Sequence, residues 1–205
     1  KFGIQSLDAG AFCAAYPFEE LGTVAVSFYQ LSNGGAYTQQ KYGLALSRAF
    51  GERLAIGMQF DAFSRSIQEF EQDWHLTGEV GFQFKLDEQL TAGLHVFNPV
   101  GVNQEEDFNS LSPPTGTIGF GYEFSDKAEL HLATQQNIQH ATRFRAGLGY
   151  QPIENLELQA GIATAPLNYS FGLGYRWKWL DLNLSFGFHR NLGQTPYLST
   201  NYQPQ

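Results

Sequence analysis

The stretch Tyr169-Ser-Phe-Gly-Leu-Gly-Tyr-Arg-Trp177 reads as two interleaved rows. One row is Tyr169, Phe171, Leu173, Tyr175 and Trp177; the other is Ser170, Gly172, Gly174 and Arg176. Successive residues of a β-strand point to opposite faces, so this segment carries one large apolar face and one face that is small or polar. The same rhythm runs through Arg53–Asp61, where Leu54, Ile56, Met58 and Phe60 alternate with Ala55, Gly57, Gln59 and Asp61. A helix would instead group its apolar residues three and four apart. The two-residue rhythm recurs along the whole chain, so the solvent that meets the apolar row decides what kind of protein this is.

Alternation, β-branched and aromatic enrichment, and Gly/Pro/Asn/Asp punctuation predict strands near 6–17, 22–31, 37–49, 53–65, 73–86, 90–98, 114–124, 128–136, 142–150, 155–163, 168–177, 180–190 and 195–203. No segment sustains helical periodicity, and no linker or shift in composition divides the chain. One all-β domain over residues 1–205 is the economical organisation.

The composition narrows the class further. No apolar run approaches the roughly 18 residues that a membrane helix requires. Aromatic residues make up 15% of the chain, nearly as much as the 16% that is charged, so an unusual amount of ring surface needs an apolar neighbour. A net charge of −8 argues against a nucleic-acid partner, which demands clustered Lys and Arg. Cys13 is alone, so no internal disulfide forms, and the His and Cys residues nowhere adopt metal-ligand spacing. Neither a metal nor a cofactor is expected. The motifs GxSxG, HExxH and the phosphate loop are missing, and an enzyme is not expected either.

The connections sort into two sets. Pro17–Gly22, Phe50–Arg53, Leu86–Leu90, Phe124–Ala128, Gln151–Asn155 and Trp177–Leu180 are short. Leu31–Tyr37, Ser64–Asp73, Phe97–Pro114 and, more modestly, Thr134–Thr142, Thr164–Asn168 and Arg190–Thr195 are longer. Outer-membrane barrels have short periplasmic turns and longer outer loops. Such barrels also have an even strand number with both ends periplasmic, so the odd count predicts about fourteen strands, the first lying upstream of this sequence.

On the apolar row stand Val24, Val26 and Phe28; Val80, Phe82 and Phe84; and Leu180, Leu182, Leu184, Phe186 and Phe188. Glycines crowd the other row, among them Gly43, Gly57, Gly81, Gly93, Gly119, Gly121, Gly147 and Gly149. A soluble sandwich or lipocalin-like barrel would turn the apolar row inward and present a largely glycine exterior. A closed barrel of this strand number is also too wide for side chains to fill. In lipid, the apolar row faces hydrocarbon and closure pairs every backbone group. The expectation is therefore an antiparallel transmembrane β-barrel in the bacterial outer membrane. Tyr16, Phe18, Phe50, Phe124, Tyr150, Trp177 and Trp179 collect at the short-turn ends, where an interfacial aromatic belt belongs.

Phe144-Arg-Ala-Gly-Leu-Gly-Tyr-Gln-Pro-Ile153, Leu156-Glu-Leu-Gln-Ala-Gly-Ile162, Phe171-Gly-Leu-Gly-Tyr175 and Leu192-Gly-Gln-Thr-Pro-Tyr-Leu-Ser199 resemble the C-terminal half of the PorV/PorQ-like barrels of Bacteroidota, distant relatives of FadL fatty-acid transporters. The resemblance is clearest over residues 140–205. It implies a fourteen-stranded outer-membrane barrel. On its PorV side it implies an accessory subunit of a type IX-like secretion or outer-membrane biogenesis assembly. On its FadL side it implies a conduit for small hydrophobic molecules. The FadL plug phrase Asn-Pro-Ala-Gly has only a misplaced echo in Asn98-Pro99-Val100-Gly101, at the start of a long loop, and its role is not carried over.

Two groups of residues stand out as sites. Arg143 and Arg145 share the glycine-side row of one strand, with Glu129 and His131 before them, Glu157 after, and Arg176 further on. They form either a charged constriction or anionic-ligand clamp, or, more economically, a ladder of cross-strand ion pairs that props the interior. Asp61, Glu79 and Lys85 invite the same two readings. In the loop 97–114, Val100, Val102, Phe108 and Leu111 form a partner-binding candidate. Expected partners are the lipid bilayer and other outer-membrane or periplasmic proteins. The leading expectation is a non-enzymatic accessory subunit of an envelope assembly, with the hydrophobic conduit as the alternative.

Overall fold

The computed structural model describes residues 7–34, 36–67, 72–99, 113–189 and 193–203. It is a single sheet of thirteen antiparallel strands in simple sequence order. The first six are β1 (Leu7–Phe18), β2 (Gly22–Asn33), β3 (Tyr37–Phe50), β4 (Leu54–Ile67), β5 (Gln72–Lys85) and β6 (Leu90–Phe97). The rest are β7 (Thr115–Ser125), β8 (Ala128–Asn137), β9 (His140–Ile153), β10 (Leu156–Ala163), β11 (Asn168–Trp177), β12 (Leu180–His189) and β13 (Gly193–Tyr202). Every strand expected from the alternation is present, within a few residues of its predicted ends. Each hairpin pairs with the next, the arrangement of an up-and-down barrel wall.

The sheet curls. Tyr29 on β2 comes close enough to Tyr197 on β13 for the two phenols to interact electrostatically, although ten strands lie between them along the sheet. Strands β1 and β13 are its two outer strands and run in the same direction, as the even number of antiparallel steps between them requires. A direct β1–β13 seam would therefore be a parallel one, which the described pairings do not include.

Burial is inverted relative to a water-soluble domain. Among the described residues the one buried large hydrophobic side chain is Phe63, while Phe60, Leu76 and Leu198 are each more than 70% exposed. The buried set is instead polar: Asp61, Ser64, His75, Thr77, Asn98, Thr115 and Thr195. Water would penalise such an exterior by about 25 cal/mol for each Å² of apolar surface left wet, whereas hydrocarbon carries no such penalty. On β11 the outward row from Tyr169 to Trp177 spans about 27 Å along the strand, or roughly 20 Å along the normal at a 40° tilt. That height matches the apolar band of outer-membrane barrels.

Tyr16, Phe50, Phe124, Tyr150, Trp177 and Trp179 all lie exposed on this outer face near the short-turn ends. Several pair edge-to-face with neighbours: Tyr16 with Phe18 at 4.9 Å, Tyr122 with Phe124 at 4.9 Å, and Trp179 with Tyr202 at 5.2 Å. The opposite end also has outward rings, since Trp74 stacks on Tyr42 at 6.1 Å. Aromatics therefore occupy both ends of the band, not one rim.

The expected sorting of loop lengths holds less well. The connections on the expected longer side shrink to residues 34–36, 138–139 and 164–167, none longer than 86–89 on the other side. Only 98–114 is long. The strands run on through polar segments such as Thr38-Gln-Gln40 and Gln135-Gln-Asn137, where the apolar row has ended but backbone pairing continues. Alternating hydropathy marks the part of a strand in lipid; hydrogen bonding sets where the strand stops.

Candidate functional site

The inward row lines the lumen, and its glycines shape it. A Cβ on Gly149 would lie 2.7 Å from Glu129 Oε1, and one on Gly174 would lie 2.7 Å from Asn183 Oδ1. One on Gly161 would meet Ser170 Oγ at 2.7 Å, and one on Gly43 would meet Ser27 Oγ at 2.4 Å and Gln59 Nε2 at 2.7 Å. Each polar side chain thus lies flat across a glycine of the neighbouring strand. The wall stays thin, and the lumen keeps its width.

Two lumenal cavities result. The first, about 870 Å³, lies against β3–β8. Its inward wall is mostly Ala45, Ala55, Gly57, Gly81, Gly93, Thr117, Gly119 and Gly121, with Gln59, Glu79 and His95 at one side. The second, about 790 Å³, lies against β8–β13. Both are bordered by Glu129, His131 and Ala133, so they adjoin along β8. Volumes of this size suit small-molecule ligands.

A polar network built on β3–β6 flanks the first cavity. Lys41 Nζ donates to Glu79 Oε1 and lies 3.3 Å from Asp61 Oδ1. Gln59 Nε2 donates to the same Asp61 oxygen at 2.7 Å, and His95 Nε2 is 2.7 Å from Glu79 Oε2. The Asp61 side chain is fully buried, and its Oδ2 has no hydrogen-bond partner among the described residues. Lys41 Nζ also sits 5.7 Å from the Phe63 ring centre and 5.4 Å from that of Phe97, within cation–π range. Phe63 stacks on His75 at 4.9 Å and meets Phe97 edge-on at 6.0 Å. The result is a ring-lined layer that narrows the lumen at the end opposite the short turns. Next to it Asn98, at a φ of 49°, donates its backbone N–H to the Gly78 carbonyl and accepts from Thr77 Oγ1 at 2.7 Å.

This network departs from the sequence expectation in one member. Lys85 is not its cation. Register places Lys85 opposite Thr91, six residues along β5 from Glu79 and so about 20 Å away. Lys41, which faces Phe63 across the β3–β4 pair, reaches diagonally over Asp61 to Glu79. Linear order gives no sign of this, because the contact joins strands one removed from each other.

The second predicted cluster is split into layers. Arg143 and Arg145 project from β9 near the end away from the short turns, where Arg145 Nη2 donates to Gln135 Oε1 at 2.6 Å. Glu129 lies opposite Gly149, four residues further along, and pairs with His131 of its own strand at 3.1 Å. Glu157, opposite Gly174, accepts from Gln159 Nε2 at 2.7 Å. Arg176 pairs with Asp181 at 2.9 Å. Among the described residues no carboxylate lies within salt-bridge distance of Arg143 or Arg145, so the ion-pair ladder expected there does not form. The cause is spacing: along the strand Glu129 lies four residues, about 13 Å, and Glu157 six residues, about 20 Å, from Arg145. The loop candidates Val100, Val102, Phe108 and Leu111 lie outside the described residues.

No protein-family model matches this chain, and no curated protein does. Solved structures match its fold. The TodX monoaromatic hydrocarbon channel, as a ΔS2S3 mutant, superposes with a TM-score of 0.74 at 9% identity, covering 95% of this chain and 81% of that one. The toluene transporter TbuX of Ralstonia pickettii gives 0.73 at 9% identity, covering 94% and 81%. A FadL homologue from Pseudomonas aeruginosa gives 0.59 at 12% identity, covering 95% and 75%. Identities this low show a shared fold and nothing finer. That fold, with the inverted burial, makes the chain an outer-membrane β-barrel. The neighbours fall on the FadL side of the resemblance; none supports its PorV/PorQ side.

Proposed function

We propose that this barrel is a conduit for small hydrophobic molecules across the outer membrane. The observation that carries the reading is the lumen itself: two adjoining cavities whose inward rows are rich in glycine, alanine and other small residues, with the Lys41–Asp61–Glu79 layer flanking the first. A bare wall of this kind lets an apolar solute pass without displacing bulky side chains. Its likeness in fold to a monoaromatic hydrocarbon channel and a toluene transporter supports the same substrate class. The accessory-subunit expectation has no comparable support, because the structural counterparts are channels rather than parts of an assembly. Fold alone assigns no substrate, so the test is functional.

Cells expressing the full chain in their outer membrane are expected to accumulate labelled toluene from dilute solution faster than cells carrying an empty vector. Equal uptake, with the barrel shown to be folded in the membrane, would refute the conduit.

A further inference from the structure

We infer that Arg143 and Arg145 form a binding site for the carboxylate of an organic anion on the lumen wall of β9. This goes beyond the conduit reading, which concerns uncharged solutes and makes no use of these residues.

Three observations converge. First, the two arginines share one face of one strand, two residues apart, so their Cα atoms are about 7 Å apart. Like charges inside a single Debye length repel, and the repulsion is relieved by an anion placed between them. Second, no acid of the chain supplies that anion among the described residues. Arg145 has a neutral amide partner, Gln135, and Arg143 Nε is buried without an acceptor. By register Glu129 lies four residues, about 13 Å, and Glu157 six residues, about 20 Å, along the strand from Arg145, both beyond a Debye length at physiological salt. By contrast, the other arginine of the expected cluster, Arg176, has its carboxylate in Asp181. Third, both guanidiniums border the cavity of about 790 Å³, whose remaining polar lining includes the neutral groups of Gln159, Ser170 and Tyr197. A ligand therefore has room beside the pair, with neutral hydrogen-bonding groups at hand, while the acids of the same cavity, Glu129 and Glu157, stand further along it.

Guanidinium forks match carboxylate geometry bidentately, which gives direction as well as attraction. A molecule with a carboxylate head and a small apolar body satisfies both halves of the site: head on the arginines, body along the glycine wall. The acidic layer at Glu129 and Glu157 lies further down the lumen and disfavours onward movement of the charged head. The arrangement accordingly holds organic acids at the arginines while uncharged analogues move freely.

The test compares benzoate with benzyl alcohol, which have nearly the same shape, on the purified full chain folded in detergent micelles and followed by calorimetric titration. Benzoate is expected to bind at least about tenfold more tightly than benzyl alcohol. In the variant Arg143→Gln/Arg145→Gln that preference should vanish while the benzyl alcohol affinity stays within about twofold. The wild-type protein offers a second readout that needs no variant to fold: benzoate binding weakens as KCl rises, and benzyl alcohol binding does not. Equal affinity for the two probes in the wild type, or an undiminished benzoate preference in the double variant, overturns the inference. Failure here is separable from failure of the conduit. A barrel that speeds toluene uptake yet shows no benzoate preference loses only the anion site; one that prefers benzoate without speeding uptake loses only the conduit.

Discussion

Replacing Lys41 by Met removes the one cation held between Asp61 and Glu79 while keeping the length of the side chain. At the 3.3 Å separation of Lys41 Nζ and Asp61 Oδ1, Coulomb attraction is about 5 kcal/mol at an effective dielectric of 20 and about 1.3 kcal/mol in bulk water. The lower value describes a lumen filled with mobile water. The higher describes a site where the Asp61 side chain has no solvent contact, as it has none here, with Lys41 at 22% and Glu79 at 17% exposure. Cation–π contacts to Phe63 and Phe97 add about 0.5–1 kcal/mol each in partly solvated settings. Breaking a buried pair from one side typically costs about 3–5 kcal/mol, because the surviving charge is stranded. Since Lys41 retains some solvent contact, the expected loss is about 3 kcal/mol, read as a shift in urea unfolding of the barrel in lipid vesicles. Adding Asp61→Asn to Lys41→Met should restore part of it, with a coupling energy of at least about 1 kcal/mol. A Lys41→Met variant within about 0.5 kcal/mol of wild type, with no coupling to Asp61, would refute the reasoning: the layer would then be solvated and would not narrow the lumen.

Two further measurements address the wall. Leu184 faces outward between Leu173 and Leu198 near the middle of the apolar band, so Leu184→Arg should cost about 2–4 kcal/mol in vesicle unfolding, whereas Ser185→Arg, turned toward the second cavity, should cost less than about 1 kcal/mol. Equal costs would contradict the assignment of faces. Gly149→Ala must displace Glu129, whose Oε1 would lie 2.7 Å from the new Cβ, and is expected to destabilise by about 1 kcal/mol; Gly116→Ala, with open space around its Cβ, should be neutral or stabilise by about 0.4–1 kcal/mol. The opposite order in a denaturant titration would show that the inward glycines are not there to seat neighbouring side chains.

Much of the fold was legible without coordinates, and the reason is specific. In Tyr169–Trp177 the outward row has to satisfy hydrocarbon and the inward row has to leave room, so two physical demands act on alternate residues and leave a period of two in the linear order. Strand number, order and facing follow from that pattern. So does the exposure of Trp177 and Trp179. The lengths of the connections were less legible, because segments such as Gln135-Gln-Asn137 continue the ladder by backbone hydrogen bonds that do not depend on hydropathy.

The charged residues divide the same way. Alternation alone placed Asp61, Glu79, Arg143 and Arg145 on the lumenal side. Which acid meets which base depends on register and on diagonal reach across strands, quantities of a few ångströms that no linear spacing encodes. Thus Lys41 rather than Lys85 meets Glu79, and Arg176 meets Asp181. Arg143 and Arg145, which the sequence sets beside Glu129 and Glu157, stand more than a Debye length from them once the strands are paired. The sequence by itself determined an inside-out barrel wall, because solvent polarity acts on every second residue. Only the tertiary structure decided where its charges are cancelled and where they are left open to a ligand, because charge pairing is set by distance in space.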